Sequence, residues 1–126
     1  MIAYLDTNVV VWLAQDALTR ISPRAQQALE DADLLVSPMV LIELEYLYEV
    51  QRIRVPSQDI LTKLQHEIGL RVCDLPFSSV AGMALGEKWT RDPFDRTIVA
   101  QAKANGLAPL ISADGEIQQH YIRTVW

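Results

Sequence analysis

Cysteine is nearly absent. Cys73 is the only one among 126 residues, so no disulfide can form within the chain. It sits in an apolar stretch and reads as a small buried residue. Histidine is almost as scarce. His66 and His120 lack the spacing of paired metal ligands and read as surface or boundary residues. No run of about 18 consecutive apolar residues occurs, which excludes a transmembrane helix. The start, Met1-Ile2-Ala3-Tyr4-Leu5-Asp6, lacks the basic opening and longer apolar stretch of a signal peptide, so a cytoplasmic location with no membrane partner is expected. No glycine-rich phosphate loop, Ser/His nucleophile pair, internal repeat or linker is present. Basic residues are outnumbered, 11 against 16 acids, for a net charge of −5. Proteins that handle nucleic acid usually carry a basic surface. Setting four acids aside for a metal site leaves 12 against 11 bases, so the balance does not exclude an RNA substrate. It does limit any basic surface to a local one.

What the chain has is apolar material: hydrophobic residues make up 50% of it. That suffices for a buried core, and the length fits one domain over residues 1–126. Short apolar runs alternate with amphipathic segments. Strands are expected at Ile2–Leu5, Leu34–Val36, Leu70–Cys73 and Pro109–Ser112, with a short fifth at Thr124–Trp126. Asn8 is placed to cap a helix over Val9–Ala14. Ser22-Pro23 and Ser37-Pro38 each combine a cap with proline at the first helical position. They open helices to about Asp31 and about Gln51. Ser57 opens another to about Ile68. Ser78–Glu87 reads as helical despite Gly82 and Gly86. Asp92-Pro93 starts a strong helix that Gly106 ends. Alternating strands and helices imply an α/β fold with a mostly parallel sheet flanked by helices. In such sheets ligands bind beyond the carboxyl ends of the strands.

Acids that follow strands are therefore the first candidates. Asp6 directly follows the first strand, and Asp114 follows the fourth with Ser112 between. Each also reads as an ordinary turn or cap residue. Asp95 lies three and four residues before Ile98 and Val99, on the core-facing stripe of its helix. An acid there must pair, be neutralised or bind a cation. The competing reading is that Asp92 caps the helix and Asp95 turns outward to favour its dipole. In the helix from Met39 the stripe runs through Val40, Leu41, Leu44, Leu47 and Tyr48. Glu43 and Glu45 lie at its two edges, and periodicity does not choose between them. Glu45 and Glu49 share a face that looks solvated. Ile42, Tyr46 and Val50 lie off the stripe. That second apolar side is covered either by a partner or by the domain's own next helix. Clustered carboxylates without His or Cys suit a hard cation, Mg²⁺ or Mn²⁺, and such a site suits phosphodiester hydrolysis.

Four segments together resemble a family. They are Leu5-Asp6-Thr7-Asn8, Ser37-Pro38 leading to Glu43, Arg91-Asp92-Pro93-Phe94-Asp95-Arg96 running into Ile98-Val99-Ala100-Gln101-Ala102, and Leu110-Ile111-Ser112-Ala113-Asp114. In this order and spacing they are similar to PIN-domain proteins, most of all the VapC type of toxin from toxin–antitoxin pairs. The resemblance implies a three-layer fold with a four- or five-stranded sheet and a Mg²⁺- or Mn²⁺-dependent endoribonuclease. It places Asp6, Glu43, Asp95 and Asp114 in the acidic positions and prefers Glu43 over Glu45. It gives Asn8 the task of orienting Asp6 and Asp92 that of a cap near the metal. Ser112 stands where the family often has Thr. Arg96 is expected to pair with a carboxylate or touch substrate phosphate. The implied partners are transfer RNA or another structured RNA, a small antitoxin over the active site, and a second copy in a homodimer.

Arg20, Arg24, Lys88 and Arg91 are candidates for contact with the RNA backbone. Two other functions are weighed. An aspartyl-phosphate phosphatase would use Asp6 as nucleophile, but the second acid such enzymes need two residues later is replaced by Asn8. A non-catalytic PIN-like module that docks on RNA or a partner would not require all four acids.

Overall fold

The computed structural model describes residues 1–126. Strand β1, Ile2–Leu5, buries Ala3, Tyr4 and Leu5 in succession, which is the mark of a strand covered on both faces rather than one. The elements that follow are α1 (Thr7–Ala14), a 3₁₀ turn (Leu18–Arg20), α2 (Pro23–Asp31), β2 (Asp33–Val36), α3 (Pro38–Glu49), α4 (Ser57–Ile68), β3 (Arg71–Val72), α5 (Phe77–Ala84), α6 (Pro93–Ala104), β4 (Leu110–Ile111), α7 (Gly115–His120) and β5 (Thr124–Val125). The five strands form one sheet in the order β3-β2-β1-β4-β5. Every pairing in it is parallel. The chain builds outward from β1 to β3, then returns to lay β4 on the other side of β1. Strand order thus reverses between β1 and β4, and in open parallel sheets it is beyond the carboxyl ends at such a reversal that ligands bind.

The expected strands all form: β1 with the expected bounds, β2 one residue longer at Asp33, and β3, β4 and β5 trimmed at their ends. Helix starts at Pro23, Pro38 and Pro93 are each capped by the side chain before the proline. Gly106 closes α6 with a φ of +66°, a conformation that glycine adopts without a Cβ clash. Four readings change. The cap of α1 is Asp6, whose side chain accepts from the Thr7 N–H; Asn8 is already one turn position inside the helix. The helix expected over Ser78–Glu87 stops at Ala84, because Glu87 is drawn into the interior. Tyr48 leaves the core stripe of α3 and is 38% exposed. Helix α7 was not expected at all: it is six residues long and only Ile117 in it is buried, too little for a periodic signal.

Helix α6 is buried all round from Thr97 to Ala102. Ile98, Val99 and Ala102 join the main core, while Ala100 packs with Val80 and Ala84 of α5. Cys73 is buried as expected but is not merely apolar filling. Its Sγ lies 3.1 Å from the Tyr4 hydroxyl and accepts from Gln101 Nε2 at 3.2 Å, and Tyr4 in turn accepts from Asn105 Nδ2 at 2.8 Å. This polar thread ties β1, the end of β3 and α6 together inside the core.

The segment between α5 and α6 is fixed by a buried charge. Glu87 is 4% exposed. It pairs with Lys103 Nζ at 2.5 Å and accepts from Trp89 Nε1 at 2.7 Å. The Trp89 ring stacks on His120 of α7, with centroids 5.0 Å apart. These contacts hold the stretch that delivers Asp92 and Asp95. Lys103→Met would leave the Glu87 carboxylate buried without its cation, and should cost about 3 kcal/mol of stability in a urea unfolding series. A change below about 0.5 kcal/mol would show that the ion pair does not hold this segment.

Candidate active site

Three helix N-termini meet at the carboxyl edge of the sheet, and each is capped by an aspartate. Asp6 caps α1, Asp92 caps α6 through the N–H groups of Phe94 and Asp95, and Asp114 caps α7 through the Ile117 N–H. The cap reading thus holds for Asp6, Asp92 and Asp114, and the three caps stand at one edge of the sheet. Aspartate is favoured at such positions because its oxygen takes an otherwise unpaired N–H and its charge faces the positive end of the helix. Glu43 comes from the second turn of α3, and Asp95 stands in the first turn of α6.

Asp6 is the most enclosed, at 5% exposure. One of its oxygens accepts from the Thr7 N–H at 2.8 Å and the other from the Ser112 hydroxyl at 2.6 Å. Ser112 also accepts from the Asp114 N–H at 3.1 Å, so one hydroxyl touches both Asp6 and the backbone of Asp114. The Thr7 hydroxyl donates to Glu43. Thr7 is itself buried, and the sequence reading gave it no task. A hydroxyl beside a strand-terminal acid at a helix start was the available signal.

These acids feel one another. Burial raises the Asp6 carboxyl above its usual range, and the charges of Asp114 and Asp92 add to that, against the lowering by Ser112 and Thr7. Burial likewise raises Glu43, helped by Asp6 and Asp92 and opposed by the Thr7 hydroxyl. Asp95 is pushed up to about 7, first by burial and then by the charges of Asp6, Asp92, Asp114 and Glu43. No cation answers them. The chain's two ion pairs, Lys63–Asp16 and Lys103–Glu87, lie elsewhere. Every named donor to Asp6 and Glu43 is neutral.

Several expected contacts go elsewhere. Asn8 is exposed and Asp6 is oriented by Thr7 and Ser112, since a side chain at the second helical position points away from the cap. Arg96 pairs with no carboxylate. Its guanidinium donates to the carbonyls of Ala84 and Leu85 at 2.8 and 3.4 Å, closing the end of α5. Glu45 is half-buried rather than solvated, and accepts from the Ser57 N–H at 3.1 Å, which takes it out of the cluster. Arg24 lines a hollow with Met1, Ala3, Pro109 and Thr124, at the amino ends of the strands and so at the opposite edge. Lys88 and Arg91 stand in the stretch leading to Asp92, and Arg91 reaches the Lys88 carbonyl.

Residues 3–122 match the PIN domain model. The chain belongs to the PIN-domain family. No curated protein matches it closely. Among solved structures, a chain of the toxin–antitoxin complex from Klebsiella pneumoniae superposes with a TM-score of 0.65 at 18% identity, covering 98% of this chain and 96% of that one. A chain of VapBC2 from Rickettsia felis, bound to a DNA fragment from their promoter, gives 0.64 at 16%, with 98% and 96% covered. VapBC-1 from nontypeable Haemophilus influenzae gives 0.56 at 16%, with 98% and 95% covered. At these identities the likeness is one of fold, and it extends over the whole PIN domain.

The donors around Asp6 are carboxylates and hydroxyls. No set of three His, Cys, Asp or Glu side chains converges closely enough to ligate one ion. The acids nevertheless lie near enough for their charges to help raise Asp6, Glu43 and Asp95, are all oxygen donors, and have no competing ammonium or guanidinium. That set fits Mg²⁺ or Mn²⁺, which accept oxygen ligands and often keep several waters.

The Asp95 value fixes a pH dependence. Its ordinary value is 3.8, and in the fold it is about 7. Between the two the fold holds a proton that the unfolded chain has released, so metal-free stability falls as pH rises through this window. Asp95→Asn cannot ionise and should flatten the curve. Near pH 8 with chelator, its Tm should exceed the parent's by roughly 5 °C, and the gap should close near pH 4. Equal Tm values across the range would mean that the repulsion on Asp95 is negligible.

Proposed function

We propose that this PIN-domain protein is a metal-dependent endoribonuclease, the VapC-type toxin of a type II toxin–antitoxin pair. The observation that carries the proposal is the uncompensated acidic cluster at the strand-order reversal. Asp6, Glu43, Asp95 and Asp114 hold one or two Mg²⁺ or Mn²⁺ ions, directly or through water, with Asp92 capping α6 beside them. When bound, the ion supplies activation of the attacking water and relief of charge on the phosphate. The chain's part is to keep the ligands in place. Ser112 and Thr7 hold Asp6, Thr7 holds Glu43, and the first turn of α6 carries Asp95. Lys88 and Arg91, beside Asp92, contact the RNA backbone.

The substrate in this reading is transfer RNA or another structured RNA, in the cytoplasm. The structural neighbours are toxin–antitoxin complexes, which supports a small antitoxin as partner. The exposed side of α3 supports a covering protein, the antitoxin or a second copy in a homodimer. Ile42, Tyr46 and Val50 are 59%, 50% and 45% exposed, so the next helix does not cover them. The weaker alternative, a non-catalytic PIN-like module binding RNA or a partner, has in its favour that no three acids converge.

Purified protein incubated with total small RNA should yield discrete fragments in Mg²⁺ or Mn²⁺ and none with chelator. Asp95→Asn should drop to background while staying folded. Glu45→Gln should cleave as the parent does, because Glu45 serves α4. Loss in Glu45→Gln with cleavage retained in Asp95→Asn would refute the assignment of the site. Metal-loaded, folded protein that leaves every RNA intact would favour the binding module.

A further inference from the structure

The chain holds two glutamates, one buried and one half-buried, in opposite ways. Glu87 is neutralised by an ammonium group, Lys103 Nζ at 2.5 Å. Glu43 is held by a hydroxyl, that of Thr7. An ion pair satisfies a carboxylate and removes its charge. A neutral hydroxyl orients a carboxylate and leaves the charge available. The same residue touches a second acid, since the Thr7 N–H donates to Asp6. Thr7 is 2% exposed, at the first position of α1, so it has little room to move.

Glu43 needs such a hold more than its neighbours. The shorter Asp6 side chain is gripped at both oxygens, whereas Thr7 is the one hydrogen-bond donor found for Glu43. A glutamate has three rotatable side-chain bonds, and the charges of Asp6 and Asp92 press on this one. Without a donor, repulsion favours rotamers that carry the carboxylate outward. Threonine suits the task because its β-branching stiffens χ1.

We infer that Thr7 is a positioning residue. Its hydroxyl sets the Glu43 carboxylate at a fixed place relative to Asp6, and so sets the affinity of the acidic cluster for a divalent cation. The inference rests on the metal-dependent reading above, but it concerns binding of the metal alone and needs no RNA. Partners that orient metal-binding carboxylates typically change metal affinity 10–100-fold.

The test is calorimetric titration of Mn²⁺ into the full chain. Thr7→Val keeps the shape and loses the hydroxyl, and should weaken the Kd by about 10–100-fold. Thr7→Ser restores the hydroxyl and should recover most of that loss. In a Glu43→Gln background, adding Thr7→Val should cause little further loss, because Thr7 acts through Glu43. Unchanged affinity in Thr7→Val overturns the inference. So does an equal loss in the serine and valine variants, which would assign the effect to packing. If Thr7→Val does not fold, Thr7→Ala is compared with Thr7→Ser in the same way, and Thr7→Ser that folds but binds as poorly as Glu43→Gln overturns the inference. A parent chain that binds no Mn²⁺ overturns the metal-dependent reading itself. Parental binding that is indifferent to the hydroxyl overturns only the role of Thr7.

Discussion

Asp6, Glu43, Asp92, Asp95 and Asp114 are acids of one sign gathered closely enough that their charges help raise Asp6, Glu43 and Asp95, and the architecture around them holds them there. Three helix N-termini supply partial positive charge and N–H donors at the same edge. Hydroxyls and backbone amides orient the oxygens without neutralising them. The parallel sheet is what makes this possible. It sends β1 and β4 in the same direction side by side, so that the residues leaving both strands arrive together.

The cost of the cluster is met by parts remote from it. Six consecutive buried residues seat α6 between the sheet and α5, and the thread from Asn105 through Tyr4 to Cys73 and Gln101 locks it to β1. Arg96 spends its guanidinium on the end of α5 and not on a carboxylate. Placed among the acids, it would have neutralised part of their charge. The one strong ion pair near this region, Lys103–Glu87, anchors the approach to Asp92 from outside the cluster. Cations in this chain thus stabilise the frame, and neutral donors tune the site.

That division explains which parts of the site could be read early. Asp95 was legible because it breaks an apolar stripe, and burial gives such an acid few alternatives. Asp6 and Asp114 were legible because each follows a strand. Glu43 was not separable from Glu45 by periodicity, since both lie at the edge of one stripe. Only the packing of α4, which hands Ser57 to Glu45, takes Glu45 away. The resemblance to PIN domains chose Glu43 without a physical reason, and the Thr7 hydroxyl supplies one.

The sequence by itself determined the alternation of strands and helices, the helix starts at Ser-Pro and Asp-Pro, and the presence of acids at the strand ends. Those features are local, governed by side-chain period and by which residue can cap a helix. Tertiary structure decided the order of the strands, the company each acid keeps, and the partners of Thr7, Arg96 and Glu87. Those depend on contacts between residues far apart in the chain, such as Ser112 with Asp6 and Thr7 with Glu43. No local pattern encodes a hydrogen bond that exists only after two strands lie side by side.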